Sequence, residues 1–238
     1  MIGVLALQGD FALHEKALAR IGAQSAEIRK PSELGAVDGL IIPGGESTTL
    51  LNLMDEWGFV PALEKFHAQG KPIFGTCAGL IVLASEVENP GQRSLGLIDI
   101  TTERNAYGRQ KESFETEGEA ELEGERKPIK MVFIRAPRIR RLGPAVTPLA
   151  HYDFRARLGR RATLVSARLA RGGPSPRPCC GSPGGPAASY GSHHDGECVL
   201  ARQGSVLVAS FHPELTDDPT VHRYFLGMVE GYRDQRFQ

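Results

Sequence analysis

The sequence lacks an excess of either charge. Lys and Arg together number 28, and so do Asp and Glu, so the formal net charge of the 238 residues is zero with His neutral. Nucleic-acid-binding proteins depend on clustered positive charge, so this balance gives no reason to expect a nucleic acid as partner. Long apolar runs are missing too. None approaches the ~18 residues that a helix needs to span a bilayer, so we expect no membrane segment.

Cysteine is scarce, and its four positions show no spacing that suggests a disulfide framework in a chain of this size. They are Cys77, Cys179, Cys180 and Cys198. The first residues, MIGVLALQGDF, have neither the basic segment nor the cleavage site of a secretory signal. These observations predict a reduced, cytoplasmic protein. The 41% hydrophobic and 24% charged residues are ordinary for a globular protein, and one domain is expected.

The first half of the chain alternates short apolar runs with amphipathic stretches. Residues 2–7, 38–45 and 71–76 have the near-continuous apolar character of buried strands, and the stretches after them predict helices, the last over residues 78–87. Strands of a parallel sheet covered on both faces have this character. The pattern therefore predicts an α/β fold with three layers, in which a mostly parallel central sheet is flanked by helices.

From about residue 95 the pattern changes to extended stretches with one polar face. Glu occupies every second position from Glu115 to Glu125, which predicts the wet face of an antiparallel extension. This interpretation is preferred to a metal site, because hard-cation sites draw on ligands that converge from loops. Residues 198–214 predict a hairpin, and Asp218 precedes a last helix.

Residues 150–195 break the pattern. From Gly172 to Pro186, ten of fifteen residues are Gly or Pro, a composition that cannot build a packed core. We therefore expect an atypical Gly-, Pro- and Arg-rich insertion that is disordered. A shifted reading frame is the alternative, because such residues arise when GC-rich codons are read out of register. A metal cluster is disfavoured, because adjacent cysteines chelate one tetrahedral ion poorly; its candidate ligands are Cys179, Cys180, His193, His194 and Cys198.

The segment GTCAG (75–79) places Cys77 between two glycines, after an apolar strand and before a helix. A Gly-x-nucleophile-x-Gly turn holds a nucleophile clear of the sheet in a strained conformation. The N-terminus of the following helix favours a thiolate. A cysteine between apolar runs is also commonly a small buried hydrophobe. The turn alone leaves both interpretations open.

Two further segments carry groups that a cysteine nucleophile needs. In ASFHPE (209–214), His212 and Glu214 would point to the same side of an extended segment, so the carboxylate could fix the tautomer of an imidazole base. A His-Pro-Glu turn without a role is the alternative. In IIPGGEST (41–48), glycines end a buried strand and expose backbone N–H groups for a phosphate or an oxyanion. The oxyanion is favoured, because the Lys and spacing of a P-loop are missing.

In this order, the strand followed by PGG, the GTCAG turn and HPE resemble the class I glutamine amidotransferases, whose triad is Cys, His and Glu. The resemblance is closer still to the glutaminase subunits of pyridoxal 5′-phosphate synthases. It covers nearly the whole chain apart from about residues 150–195, and other glutaminases lack LALQGDF and RNAYGRQ. The matching segments are GVLALQGDFALHE (3–15), PGGEST (43–48), GTCAGLI (75–81), RNAYGRQ (104–110), SFE (113–115), FIRAP (133–137) and ASFHPELT (209–216).

The resemblance implies a single glutaminase domain over residues 1–238, with no cofactor and no metal. It implies Cys77 as nucleophile, His212 as base and Glu214 as the group that orients the base. Backbone N–H groups of Gly45 and Ala78 would form the oxyanion hole. The positions that match the family's glutamine-binding residues are Gly45, Glu46, Ser47, Arg104, Ile134 and Arg135. Gln8 lies in a stretch that contacts the synthase in the family.

The activity implied by the resemblance is hydrolysis of L-glutamine to glutamate and ammonia. The ammonia would pass to a TIM-barrel synthase subunit that makes pyridoxal 5′-phosphate, or vitamin B6. Two alternatives remain. The chain could be an inactive scaffold of the same complex, if residues 150–195 disturb the site. It could also be the amidotransferase subunit of another biosynthetic pathway, although RNAYGRQ argues against that.

Overall fold

The computed structural model describes residues 1–104, 113–154 and 196–236. By its internal contacts the chain divides into two units: Met1–His151 with Cys198–Gln238, and Tyr152–Glu197. Residues 155–195, which make up most of the predicted insertion, lie outside the described residues. Residues 150–152, at the start of that predicted segment, belong to the strand Thr147–Tyr152.

The first half of the chain forms strands and helices in alternation, as its apolar pattern predicts. The strands are β1 (Ile2–Leu5), β2 (Ser25–Ile28), β3 (Gly39–Ile42) and β4 (Ile73–Thr76). The helices are α1 (Phe11–Arg20), α2 (Ser47–Glu56), α3 (Phe59–Ala68) and the short α4 (Ala78–Leu83). Every residue of β1, β3 and β4 is buried, which accounts for their continuous apolar sequences.

The second half is mostly extended. Its strands are β5 (Ala84–Glu88), β6 (Ile98–Glu103), β7 (Phe114–Leu122), β8 (Glu125–Phe133), β9 (Arg138–Leu142), β10 (Thr147–Tyr152), β11 (Glu197–Gln203) and β12 (Val206–Ala209). The helix α5 (Thr220–Arg236) follows them. Two short 3-10 helices, Pro31–Ala36 and Pro213–Leu215, lie in loops.

The main sheet has nine strands in the order β2-β1-β3-β4-β12-β11-β10-β7-β8. The strands β2, β1, β3, β4 and β12 run parallel, whereas β11 is antiparallel to β12, and β7 is antiparallel to both β10 and β8. A second sheet has the order β5-β6-β9. The predicted α/β fold, with a mostly parallel central sheet and an antiparallel extension, is confirmed.

The parallel strands bring distant parts of the sequence to one edge. Thr76 at the end of β4 lies opposite Ala209 at the end of β12, and Ile42 at the end of β3 lies opposite Gly75 of β4. Since carboxyl ends of parallel strands share an edge, the residues that follow these strands must be neighbours. The segments PGG, GTCAG and HPE begin at this edge.

One predicted helix is shorter than its sequence suggests. The helix expected over residues 78–87 ends at Leu83, and Ala84–Glu88 form β5 beside β6. A short apolar run does not distinguish a buried helix from a buried strand. Here the hydrogen-bonded pairing with β6 stabilises the strand. In the described residues 1–104, 113–154 and 196–236, no helix is both long enough and apolar enough to cross a membrane.

The acidic alternation is the outer face of a hairpin, as predicted. Strands β7 and β8 pair in antiparallel register around the two-residue turn of Glu123 and Gly124, whose φ angles are 56° and 78°. Positive φ at both positions is typical of a turn that matches the twist of a hairpin. The glutamates of β7 are exposed, and the residues between them face inward.

Candidate active site

The Cys77 backbone adopts the strained conformation that its turn predicts. Its φ and ψ angles are 48° and −100°, between the end of β4 and the start of α4. The flanking glycines are required by close backbone approach. A Cβ on Gly75 would lie 2.7 Å from the carbonyl carbon of Gly79, and a Cβ on Gly79 would lie 2.2 Å from the carbonyl oxygen of Ile42. Side chains there would separate strand from helix and move Cys77.

Three contacts fix the surroundings of the thiol. The Cys77 N–H donates to the carbonyl oxygen of Ala209 at 2.9 Å, which ties the turn to the end of β12. The Cys77 Sγ lies 3.9 Å from the carbonyl oxygen of Ile134. A Cβ on Gly44 would lie 2.4 Å from the His212 ring and 3.4 Å from the Cys77 Cβ, so the backbone at Gly44 passes directly beside both side chains. The PGG turn and the GTCAG turn therefore meet.

The His212 and Glu214 side chains form a buried pair. The His212 Nδ1 is 2.7 Å from the Glu214 Oε1, and each residue is 4% exposed. Their backbone is not the extended segment that we predicted, because Pro213 begins a 3-10 helix. The expected pairing is nevertheless present. The His212 N–H donates to the Val132 carbonyl oxygen at 2.8 Å, which fixes the histidine against β8.

The electrostatic surroundings of this pair favour the charged forms. Burial opposes protonation of His212, but hydrogen bonds to the Cys77 and Glu214 side chains outweigh it and raise the pKa of the imidazole to about 10. Burial also disfavours ionised Glu214, but the neighbouring His14 and His212 outweigh it and lower the pKa of the carboxyl to about 2. At neutral pH the site therefore holds an imidazolium beside the Cys77 sulfur, and such a cation favours a thiolate.

The loop after β3 lies where an oxyanion site was expected. Gly45 has a φ of 146°, a conformation that L side chains rarely adopt, and a Cβ there would lie 2.6 Å from the amide nitrogen of Gln8. The Gln8 Nε2 donates to the Glu46 carbonyl oxygen at 2.9 Å, and the Glu46 N–H donates to the Gln8 Oε1 at 3.4 Å. Gln8 thus holds the backbone that carries Gly45. The other predicted oxyanion residue, Ala78, is the buried first residue of α4.

Two oppositely charged residues from distant segments meet at the start of α2. The Glu46 carboxylate caps this helix by accepting from the N–H groups of Thr48 and Thr49 at 3.2 and 2.7 Å. The Arg104 guanidinium donates to the Glu46 Oε1 and the Thr48 Oγ1, both at 3.1 Å. Burial works against ionisation of Glu46, but these hydrogen bonds and the Arg104 charge outweigh it and lower the pKa of the carboxyl.

The structure also describes the remaining predicted glutamine-binding residues. Ser47 is buried, and its hydroxyl donates to the Gln92 Oε1 at 3.0 Å. Ile134 faces the thiol through its carbonyl, and the exposed Arg135 has a φ of 45° in the loop after β8. Residues 105–110 of RNAYGRQ lie outside the described residues, as do the Cys179, Cys180, His193 and His194 positions of the disfavoured metal cluster.

Two histidines that no sequence motif identifies lie behind the triad. His14 on α1 and His222 on α5 are fully buried, with the His14 Nδ1 3.1 Å from the His222 Nε2. The His14 Nε2 lies 3.4 Å from the Glu214 Oε2. His14 falls within the segment GVLALQGDFALHE, but a single histidine on an amphipathic helix gives no signal that distinguishes a site from a core position. Only the packing of the two helices on the sheet reveals the cluster.

Comparison with known proteins yields close matches over nearly the whole chain. A family model described as the SNO glutamine amidotransferase family matches residues 4–165 and 186–231. The unmatched residues 166–185 lie within the stretch predicted to be an insertion. A solved structure described as a glutamine amidotransferase is 42% identical, with a TM-score of 0.72, over 96% of this chain and 98% of that one. A PurLQS structure from Thermotoga maritima, 14% identical with a TM-score of 0.59 over 95% and 97%, shares the fold.

Curated relatives have similar coverage. The protein named pyridoxal 5′-phosphate synthase subunit PdxT from Niallia circulans is 40% identical over 232 residues, which is 98% of this chain and 99% of that protein. The protein of the same name from Koribacter versatilis (strain Ellin345) is 45% identical over 230 residues, which is 97% of this chain and 96% of that protein.

Proposed function

The chain belongs to the SNO glutamine amidotransferase family, and we propose that it is the glutaminase subunit of a pyridoxal 5′-phosphate synthase. It hydrolyses L-glutamine to glutamate and ammonia, and it supplies the ammonia for vitamin B6 synthesis. The observation that carries the proposal is the meeting of Cys77, on its strained turn, with the buried His212–Glu214 pair at one edge of the sheet.

The reaction that this arrangement supports is acyl transfer to sulfur. The Cys77 thiolate attacks the side-chain amide carbon of glutamine, and a carbon–sulfur bond forms. His212 gives its proton to the amide nitrogen, the carbon–nitrogen bond breaks, and ammonia leaves. Water then attacks the γ-glutamyl thioester while His212 takes its proton, the carbon–sulfur bond breaks, glutamate leaves and the Cys77 thiolate is regenerated. Glu214 keeps the His212 ring in the tautomer that faces the sulfur throughout.

Backbone N–H groups of Gly45 and Ala78 stabilise the oxyanion of the tetrahedral intermediate in this proposal. Both residues belong to turns that meet at Cys77, and the φ of 146° at Gly45 gives its peptide a direction that other residues rarely allow. Donors fixed before the reaction lower the barrier without reorganisation, and one such donor contributes about 3 kcal/mol to catalysis.

The glutamine substrate needs partners for its α-ammonium and its α-carboxylate. Glu46 and Arg104 offer the two opposite charges, and their contact at 3.1 Å supports a shared site. We assign the neighbouring Gly45, Ser47, Ile134 and Arg135 to the same pocket. Of these, Ile134 presents its carbonyl oxygen toward the nucleophile.

The proposed partner is a TIM-barrel synthase subunit that receives the ammonia. We assign Gln8 to the surface that contacts it. The Gln8 side chain holds both backbone groups of Glu46, so a contact at Gln8 would reach the oxyanion loop. We also propose a single glutaminase domain over residues 1–238 with an insertion near 150–195, because the family match spans residues 4–165 and 186–231. A cytoplasmic location stays a prediction.

The second candidate is an inactive scaffold of the same complex. It would apply if residues 150–195, which come before His212 in the chain, disturb the site. The hydrogen bond between His212 and Glu214 favours an active site over a scaffold. The test is release of glutamate from glutamine by the full chain, measured with and without a pyridoxal 5′-phosphate synthase barrel. We expect release that rises when the barrel is present. A stable complex without any release would establish the scaffold, and release that another synthase stimulates more would favour another pathway.

A further inference from the structure

A chain of buried polar groups continues from the triad into the protein. The Glu214 Oε1 accepts from His212, whereas the other oxygen, Oε2, makes no hydrogen bond within the described residues, and the His14 Nε2 lies 3.4 Å from it. The same His14 nitrogen lies 3.3 Å from the Thr76 Oγ1. The other His14 nitrogen meets His222 at 3.1 Å. Buried polar groups are costly unless they are paired, so the proton positions in this chain are constrained.

One assignment of protons satisfies the chain. With a proton on the His222 Nε2, His222 donates to the His14 Nδ1, and His14 then carries its own proton on Nε2, facing the Glu214 carboxylate. The unpaired atom is then the His222 Nδ1, which carries only a lone pair. The opposite assignment would bury an unpaired N–H on His222 and turn a His14 lone pair toward a carboxylate. Both changes are unfavourable, which fixes the direction of donation toward Glu214.

Burial disfavours a positive charge on both histidines. Burial lowers the pKa of His14, and burial with the adjacent His14 lowers the pKa of His222 to about 3. Burial therefore opposes a second cation beside His212, and the His14 Nε2 faces the Glu214 Oε2 at 3.4 Å. The positive charge of the site therefore stays on His212, beside the Cys77 sulfur.

We propose that His14 and His222 are positioning residues of the glutaminase site, which donate in sequence to the second oxygen of Glu214. The contact between the His14 Nε2 and the Glu214 Oε2, with His222 fixing the His14 ring from its other side, holds the carboxylate in the orientation in which Oε1 faces the His212 Nδ1. This inference rests on the proposed function for its kinetic consequence, but the geometry of the relay does not depend on the identity of the substrate.

A purely structural role is the competing explanation. Both rings pack edge-on against Phe74, with centroids 6.4 and 6.3 Å from it, and so join α1 and α5 to β4. Loss of packing lowers stability, but it does not change the protonation of the Cys77–His212 pair. The pH dependence of Cys77 reactivity therefore separates the two roles.

The first test compares three variants of the full chain. His14→Leu removes the donor, His14→Gln keeps a side-chain N–H, and Leu18→Ala removes buried side-chain volume from the same helix without removing a polar group. With the synthase barrel present, we expect His14→Leu to lower kcat about 10- to 100-fold, the range for a lost hydrogen bond to a charged group. KM should change little, His14→Gln should recover most of the loss, and Leu18→Ala should lower only the Tm.

The second readout needs no turnover. Alkylation of Cys77 by iodoacetamide is followed against pH by mass spectrometry of its peptide, with Cys198 as a slow internal reference because burial raises its thiol pKa to about 12. In His14→Leu the reaction at neutral pH should slow, and its midpoint should move to higher pH. Asp10 and Arg20 are the other charged groups that act on the two histidines. Both are retained in every variant, so their contributions cancel.

The order of donation gives a third test. His222→Leu alone should lower kcat less than His14→Leu, and in the His14→Leu background it should have no further effect, because His222 acts only through His14. A folded His14→Leu protein with the kcat and alkylation profile of the wild type would overturn the relay. Equal changes in His14→Leu and Leu18→Ala would also overturn it. A wild type without glutaminase activity would refute the proposed function instead, and the alkylation profiles would still decide on the relay.

Discussion

Ionisable side chains lie in two contrasting environments in this protein: one is exposed to solvent, and the other is buried. On the β7–β8 hairpin, the glutamates of β7 face solvent, and Lys130 pairs with Asp217 at 2.8 Å on the surface. At the edge formed by the ends of β3, β4 and β12, one glutamate and one histidine are almost fully buried and paired at 2.7 Å. Exposed pairs are screened by water and contribute little, whereas buried pairs change each other's protonation.

Residue type alone therefore does not identify a functional site in this molecule. The sequence holds a conspicuous run of alternating glutamates, and the structure places it on a solvated face. The single Glu214 is inconspicuous, but its two oxygens face His212 and His14 in the interior. What makes a carboxylate functional here is the convergence of chain segments that are far apart in the sequence.

The largest contrast is expected between two isosteric substitutions. Glu214→Gln keeps the shape of the side chain but removes the acceptor charge that orients His212, and we expect kcat to fall by up to about 10⁴-fold, as when a triad carboxylate becomes an amide. Glu117→Gln makes the same chemical change on the hairpin and should leave kcat unaltered. Steady-state glutamate release with the synthase barrel present measures both. Equal losses in the two variants would contradict the contrast.

Replacing a glycine by alanine should also lower the free energy of unfolding by different amounts in the two regions. A Cβ on Gly79 meets the Ile42 carbonyl oxygen at 2.2 Å, a backbone atom that cannot move aside, so Gly79→Ala should cost about 3 kcal/mol. A Cβ on Gly118 in β7 meets only the end of the flexible Met131 side chain at 2.7 Å, and Gly118→Ala should cost less than about 1 kcal/mol. Denaturant unfolding of both variants gives the free energies, and a Gly118→Ala cost as large as that of Gly79→Ala would refute this reading of the turn.

The smallest effect is on the pH dependence of stability. The pKa of His212 is raised from 6.5 to about 10 in the folded protein, so its contribution is fully present below pH 6.5 and is lost as the pH rises through 10. The Tm should therefore fall over this range, and it should fall less in His212→Asn. Lys130 also has a raised pKa, through its hydrogen bond to Asp217, but it lies on the surface, so Lys130→Gln should leave the curve unchanged. A wild-type Tm that does not change from pH 6.5 to 10 would contradict the assignment.

Much of the parallel half could be predicted from the sequence because burial on both faces leaves a continuous apolar pattern. Cys77, His212 and Glu214 could be named because short motifs flank them. The end of α4 at Leu83 was missed, since the pairing of Ala84 with Ile98 is a long-range choice. The His14–His222 contact was missed for the same reason, because it joins residues 208 positions apart.

The central claim is that Cys77 is the nucleophile of a glutaminase at the edge of the parallel strands. Its most direct test is to quench the full chain during turnover of glutamine, with the synthase barrel present, and to map the covalent adduct by mass spectrometry. We expect a γ-glutamyl group on the peptide that contains Cys77, and its absence from a Cys77→Ala variant that releases no glutamate. An adduct on another residue, or undiminished glutamate release by Cys77→Ala, would contradict it.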